Sequence, residues 1–397
     1  MKKRALIFSL AYYPDLVGGA EVAIKEITDR LSDSDFEFDM ITLRSKSELP
    51  KFEKMGNVNI YRVGFSKKGA TVSDFFKFPL FLNKYLFPFL SFLKAVKLNK
   101  ERKYCFIWAM MANYAGFGAL FFKYFYPKTK YLLTLQEGDP IPYIKKRVRF
   151  FYPIFKMIFT KADMIQVISK YLAGFAKDVG YAGEVVLIPN GVDVAMFNKI
   201  YSKEEIGALK KTDEDIYLIT TSRLVKKNGV RDVILSLTYL PNKYKFLVIG
   251  SGPDIDDLKN LAIKNSVDHR VKFMGQIDQK EIPKYLKACD IFIRPSLSEG
   301  MGNSFIEAMA SEIPVIATKV GGIPDFLFPP NNKDGIPPTG IFCEVNNPKS
   351  IAESIKRLDE EKRLQKEIVK NALEMVKKQY DWSLISSKMK DIFNKLC

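Results

Sequence analysis

One histidine, His269, is all that this 397-residue chain contains. It sits in a polar stretch ahead of the apolar run Val271–Met274, where a surface position without a chemical role is expected. The four cysteines (Cys105, Cys289, Cys343, Cys397) are scattered and form no C-x-x-C pair. Without a Cys/His cluster a zinc site is not expected, and reduced thiols in a cytoplasmic protein are the simplest reading. No G-x-G-x-x-G fingerprint follows the first strand, so a nicotinamide cofactor and a dehydrogenase lose their main support. No charge-free apolar run reaches the ~18 residues that a membrane span needs. The nearest, Phe75 to Val96, is broken by Lys77, Pro79, Asn83, Lys84 and Pro88. The start, Met-Lys-Lys-Arg and then Ala5 to Leu10, runs at once into Tyr-Tyr-Pro-Asp, and reads as a first strand and not as a signal peptide.

What is present points to two domains, since 397 residues exceed what one core supports. An apolar content of 47% is ordinary for a globular protein. In the first half, strands are expected at 4–10, 36–42, 59–63, 104–110, 130–135, 164–168 and 185–188, with helical patterns between them. The second half repeats the scheme, with strands at 216–221, 245–249, 271–274, 291–294 and 314–318. Apolar strands alternating with helices predict parallel sheets covered on both faces. Pro189 to about Asp215 is turn-rich and then charged, which places the join there. The expected division is 1–195 and 196–379, with a last helix in 380–397 returning to the first domain.

The most telling stretch is Glu299-Gly-Met-Gly-Asn-Ser-Phe-Ile-Glu307, after the strand 291–294 and at the mouth of a helix. A helix mouth offers unpaired N–H groups and a positive dipole end, which suit a phosphate. Glu307, one turn in, can accept hydrogen bonds from the vicinal diol of a ribose, and Glu299 can do the same for a sugar ring. Such parts handle a nucleotide-diphosphate sugar. Ser304-Phe-Ile-Glu307 is equally a capping box, in which Glu307 only closes the helix end. After the first strand, Gly18 and Gly19 let the backbone approach a ligand or take positive φ, or belong to a plain loop. Ser222 to Gly229 sets Arg223 with Lys226 or Lys227 at a phosphate-sized site, or forms a solvated charge run. Gly250-Ser-Gly-Pro253 opens another helix, where Asp254 and Asp256 suit the dipole better than a metal.

Taken in order, Gly18–Glu21, Ala162–Ser169, Ile188–Asp193, Ser222–Val225, Gly250–Pro253, Ala288–Ser296, the Glu299/Glu307 element and Pro314–Pro324 resemble one family. It is the retaining GT-B glycosyltransferases, family four (glycosyl transferases group 1). The resemblance implies an α/β protein of two doubly wound Rossmann-like domains facing across a cleft. The N-terminal domain would bind the acceptor and the C-terminal domain the nucleotide-sugar donor. Glu307 would hold the ribose and Glu299 the donor sugar. Arg223 and Lys227 would clamp the diphosphate with the backbone of Gly302, Asn303 and Ser304. Gly18 and Gly19 would approach the diphosphate from the other domain, Gly252 would join the donor set, and Gly275 would lie near the base. No metal and no cofactor beyond the co-substrate are expected, because fixed cations and helix dipoles stabilise the leaving diphosphate.

Two departures from the family pattern stand out. The family's frequent histidine after the strand 130–135 is replaced by Gln136, which hydrogen-bonds but exchanges no proton at neutral pH. Five residues after Arg223, where a phosphate lysine is common, stands Asn228, which shifts that role to Lys227. A catalytically silent sugar-nucleotide-binding or scaffold protein is therefore the competing function. The formal charge of +17 is also lopsided, with 21 Lys or Arg against 5 Asp or Glu between Arg62 and Lys177. That stretch is rich in Phe, Tyr and Leu, and Lys145 to Tyr152 joins four cations to three aromatics. An anionic membrane surface is the expected partner, with a lipid-linked or glycan acceptor; the alternative is aromatic core with solvated lysines. With no recognition motif, nucleic acid is not expected.

Overall fold

The computed structural model describes residues 3–14, 17–32, 34–202, 204–205 and 214–397. Asp15 and Leu16 of the first glycine loop, and most of the charged join before Asp215, lie outside the described residues. The chain divides into two compact units, Met1–Asn190 with Trp382–Cys397, and Gly191–Asp381.

In the first unit the elements run β1 (Lys3–Phe8), α1 (Gly19–Asp29), β2 (Phe36–Leu43), β3 (Phe52–Met55), β4 (Val58–Val63), α2 (Asn83–Arg102), β5 (Phe106–Met110) and α3 (Tyr114–Phe125). They continue as β6 (Lys130–Leu135), α4 (Ile141–Val148), α5 (Tyr152–Thr160), β7 (Met164–Val167), α6 (Lys170–Asp178) and β8 (Glu184–Leu187). The sheet order is β3-β4-β2-β1-β5-β6-β7-β8, parallel except for β3 against β4. β5, β6 from Tyr131 onward and β7 are wholly buried, which is why their sequences are unbroken apolar runs. Residues 382–396 form the last helix, α14, and it belongs to this unit. Its Phe393 lies between 5.2 and 5.8 Å, ring centre to ring centre, from Phe36, Phe38, Phe106 and Trp108. Trp382 is buried in the same core.

The second unit holds α7 (Val194–Phe197), β9 (Ile216–Thr221), α8 (Val230–Ser236), β10 (Tyr244–Ile249), α9 (Ile255–Lys264), β11 (Val271–Gly275) and α10 (Ile282–Lys287). Then come β12 (Ile291–Arg294), α11 (Asn303–Ala310), β13 (Val315–Thr318), β14 (Ile341–Cys343), α12 (Pro348–Glu360) and α13 (Lys362–Gln379). All six strands are parallel, in the order β11-β10-β9-β12-β13-β14. Both units are thus doubly wound α/β folds. None of the four cysteines is in a disulfide; Cys343 is buried, Cys105 and Cys289 are half-buried and Cys397 is exposed. His269 is exposed, on a short turn before β11.

Candidate active site

The second sheet reverses its winding at β9, which lies between β10 and β12. At such a reversal the loops beyond the carboxyl ends of the strands diverge and leave room for a ligand. The loop after β9 carries Arg223 and Lys227, and the loop after β12 carries Glu299. Two of the segments that the motifs single out therefore flank the switch point. They are also tied together, since the Leu297 N–H donates to the Lys227 carbonyl at 2.6 Å.

Arg294, the last residue of β12, organises the turn that follows. Its Nη2 donates to Glu299 Oε2 at 2.6 Å and its Nη1 to Ser304 Oγ at 2.7 Å. The guanidinium lies 4.2 Å from the centre of the Phe305 ring. Arg294 is buried, and a buried guanidinium is tolerated only with a carboxylate and further hydrogen bonds around it. It is not among the residues the motifs single out. The available signal is a charge closing an apolar strand, Ile-Phe-Ile-Arg, at the ligand-facing end of a parallel sheet.

Gly302 caps α11 with φ at 90°, and a Cβ there would stand 2.5 Å from Arg294 Nη2 and 2.6 Å from the Phe305 ring. Only glycine fits that conformation and that space. Gly321, with φ at 56°, lets the loop after β13 close on Glu299: its Cβ would lie 1.7 Å from the Glu299 carbonyl oxygen. The same carbonyl accepts from the Gly322 N–H at 3.2 Å. The turn is thus held from three sides.

Because Gly302 is the cap, Asn303 and Ser304 are the first helical residues, and no side chain caps α11. The capping-box alternative is corrected here: the Ser304 hydroxyl accepts from Arg294, and Glu307 stands a turn too far along to reach a cap amide. Glu307 is half-buried, and its carboxyl has no hydrogen-bond donor among the described residues. Burial pushes it up to about 7, with only the Arg294 charge pulling the other way.

Arg223 and Lys226 are exposed, and Lys227 is half-buried. Asn228 is buried and its Nδ2 donates to the Arg223 carbonyl at 2.6 Å, so it shapes the loop that carries the cations. The Gly250–Pro253 loop lies against this one, the Leu224 N–H donating to the Ser251 carbonyl at 2.9 Å; Gly252 is part of that contact. Gly275 ends β11, and its carbonyl accepts from the Gly250 N–H at 2.7 Å.

In the first unit β1 lies at the corresponding reversal, between β2 and β5. Gly18 precedes α1 and Gly19 opens it, both exposed. Neither takes positive φ, contrary to one expected use: Gly18 is extended (φ −125°), and its N–H donates to Glu21 Oε2 at 2.8 Å. Gln136 is engaged in a reciprocal amide pair. Its Nε2 donates to Asn190 Oδ1 at 3.0 Å and its Oε1 accepts from Asn190 Nδ2 at 2.9 Å. Beside it, buried Glu137 accepts the Ala112 N–H on Oε1 at 2.6 Å, while Oε2 has no partner among the described residues. Burial pushes this carboxyl, too, up to about 7. Asn190 and Glu137 link the loops after β5, β6 and β8. Amide pairing of that kind depends on which loops meet, and the sequence carries no local sign of it.

Residues 17–196 match the Glycosyltransferase Family 4 signature, and residues 202–375 match Glycosyl transferases group 1. The chain belongs to the family four glycosyltransferases. As a glycosyltransferase it has a relative in Methanocaldococcus jannaschii, an uncharacterized glycosyltransferase 26% identical over the full length of both chains. It is also 29% identical to a Corynebacterium glutamicum enzyme over 50% of this chain and 53% of that one. That enzyme is a GDP-mannose-dependent monoacylated alpha-(1-6)-phosphatidylinositol monomannoside mannosyltransferase. Among solved structures, Anabaena HepE in complex with UDP-glucose superposes with a TM-score of 0.77, 18% identity and 99% of each chain covered. The doubly wound pair of units is the GT-B fold of this family.

Proposed function

We propose that this glycosyltransferase is a retaining, metal-independent enzyme acting in cell-surface polysaccharide or glycolipid synthesis. It moves a hexosyl or related sugar from a nucleotide-diphosphate sugar to a glycan or lipid-linked acceptor. One observation carries the donor half of this reading. A half-buried carboxyl, Glu307, lies one turn inside the helix that follows the switch-point strand β12, without a hydrogen-bond donor among the described residues. A ribose diol supplies the two donors that such a carboxylate lacks. The helix amides and the loop cations then face the diphosphate.

In the reaction the anomeric carbon–oxygen bond to the diphosphate breaks, and the acceptor hydroxyl oxygen bonds to that carbon on the same face. The acceptor proton passes to the departing diphosphate. Arg223, Lys227 and the amides of Gly302 to Ser304 stabilise the charge that develops on the leaving group. The nucleotide and glycolipid named for the relatives support this donor and acceptor class. Glu307→Ala should abolish transfer from UDP- and GDP-sugars and keep the circular dichroism spectrum. Near-normal turnover at subsaturating donor removes the assignment. Tight donor binding by the wild type without turnover, on a broad acceptor panel, favours the scaffold alternative.

The acceptor unit would work against an anionic leaflet. Part of its aromatic content is core (Phe87, Phe106, Trp108), but much of it is not. Phe150 is 79% exposed and Phe125 70%, and α4 buries no residue at all. Across α2 and α3, Phe89 packs on Phe121 and Phe92 on Phe125, while Tyr124 of α3 reaches Met157 of α5. Lys146, Arg147 and Arg149 are exposed beside Phe150. Cations flanking exposed rings favour an anionic interface by about 1 kcal/mol each. No described helix is long and apolar enough to cross a membrane.

A further inference from the structure

Resting on the donor site proposed above, we propose that Arg294 is a positioning residue that presents Glu299 to the donor sugar and leaves nucleotide binding to other groups. The geometry is specific to that task. Glu299 Oε2 is occupied by Arg294 Nη2, and among the described residues Oε1 accepts only the adjacent Gly300 N–H, at 3.2 Å. The carboxylate is therefore fixed at one oxygen and keeps accepting capacity on the other, a single oriented acceptor for a sugar hydroxyl.

The second arm of the guanidinium reaches Ser304, inside the helix whose mouth closes the same turn. One side chain thus spans from the start of the turn to its end, and Phe305 holds the guanidinium plane. A lysine has no planar fork and cannot make both contacts in this geometry. Arg294 itself is no ligand for an anion. It is buried, both Nη atoms are committed within the turn, and its Nε is buried without a partner among the described residues. A guanidinium kept under such conditions is costly for stability alone, since an apolar residue of similar volume would do as well or better. Its return lies in where it holds Glu299.

The test compares the full-length wild type with Arg294→Lys, Arg294→Met, Glu299→Gln and the double variant Arg294→Met/Glu299→Gln. Titration calorimetry is done with UDP against UDP-glucose and with GDP against GDP-mannose, together with steady-state transfer. For Arg294→Lys the affinity for the bare nucleoside diphosphate should stay within about twofold of wild type. The additional affinity contributed by the sugar should fall about tenfold, and kcat should fall with it. In the affinity increment contributed by the sugar, the double variant should be no worse than Glu299→Gln alone, because Arg294 reaches the sugar through that carboxylate, while its charge on Glu307 moves bare nucleotide and nucleotide sugar alike. Arg294→Met leaves Glu299 without its counter-ion and is the variant most at risk of misfolding; the double variant removes that charge and keeps the comparison valid.

Equal loss of affinity for nucleoside diphosphate and nucleotide sugar would mark Arg294 as merely structural and overturn the inference. So would additive effects on the sugar's increment in the double variant. If the wild type binds none of the four ligands, the donor-site reading fails and the inference falls with it. Sugar-blind binding by Arg294→Lys alone, with the nucleotide affinity kept, is the pattern that establishes it.

Discussion

Glu307 and Glu137 are both pushed up to about 7 because burial penalises the carboxylate more than nearby donors favour it. The consequence for folding has a definite sign. Each native carboxyl keeps its proton where the unfolded one has already lost it. Stability is therefore lost as pH rises from about 4.5 to about 7, by on the order of 3 kcal/mol for a group shifted this far. On the proposed ribose role of Glu307, ligand binding runs the other way, because the diol donates best to the ionised carboxylate. UDP or GDP affinity should be about tenfold higher at pH 8 than at pH 6, following the ionised fraction of a group titrating near 7. Glu307→Gln should lose that pH dependence, and calorimetry at the two pH values measures both. A wild type that matches the variant would remove the ribose role. At this scale the placement of Glu299 and Glu307, in the turn and on the helix after a strand, is legible in sequence because a local pattern of strand, glycine turn and helix gives it. Arg294 and the Asn190–Gln136 pairing are hidden, because their partners come together only in folded space.

Among the elements, the β12–α11 turn depends on one conformation. Gly302→Ala places a methyl against Arg294 and Phe305 at positive φ, and should cost about 1–3 kcal/mol in local strain. Transfer should fall far more than the thermal midpoint, since the turn carries Glu299. Equal activity in Gly302→Ala would show that the turn tolerates another path. The helices α2 to α5 make a separate prediction. Co-sedimentation should be strong with phosphatidylserine or phosphatidylglycerol vesicles, weak with phosphatidylcholine, and lost at high salt. Arg147→Glu/Arg149→Glu should reduce it by about tenfold. Equal pelleting with both lipids, or with neither, defeats the membrane proposal. Most strands are readable because burial on both faces demands apolar runs. β3 (Phe-Glu-Lys-Met) and the three-residue β14 are not, since an alternating edge strand and a very short one give no such run.

For the molecule as a whole, the chain leaves its first unit at Asn190 and comes back at Trp382. The last helix shows a clear apolar face in sequence, but period alone does not say what that face covers. In the structure it covers Phe36, Phe38, Phe106 and Trp108. Phe393→Ala should therefore destabilise the first unit by about 3–5 kcal/mol, although it lies only four residues from the chain end. Urea unfolding should show the transition of residues 1–190 moving to lower denaturant, with that of 191–381 in place. A shift confined to the second unit would contradict the assignment of this helix.

Trp108 and Trp382 are the chain's only indoles, and both lie in the unit completed by the returning helix. Emission excited selectively at tryptophan is therefore a one-sided optical gauge, blind to the melting of the other unit. On the proposed donor site, saturating nucleotide should raise the far-ultraviolet dichroism midpoint of the second unit and leave the tryptophan midpoint where it was. Should both signals move together, the two halves melt as a single cooperative body.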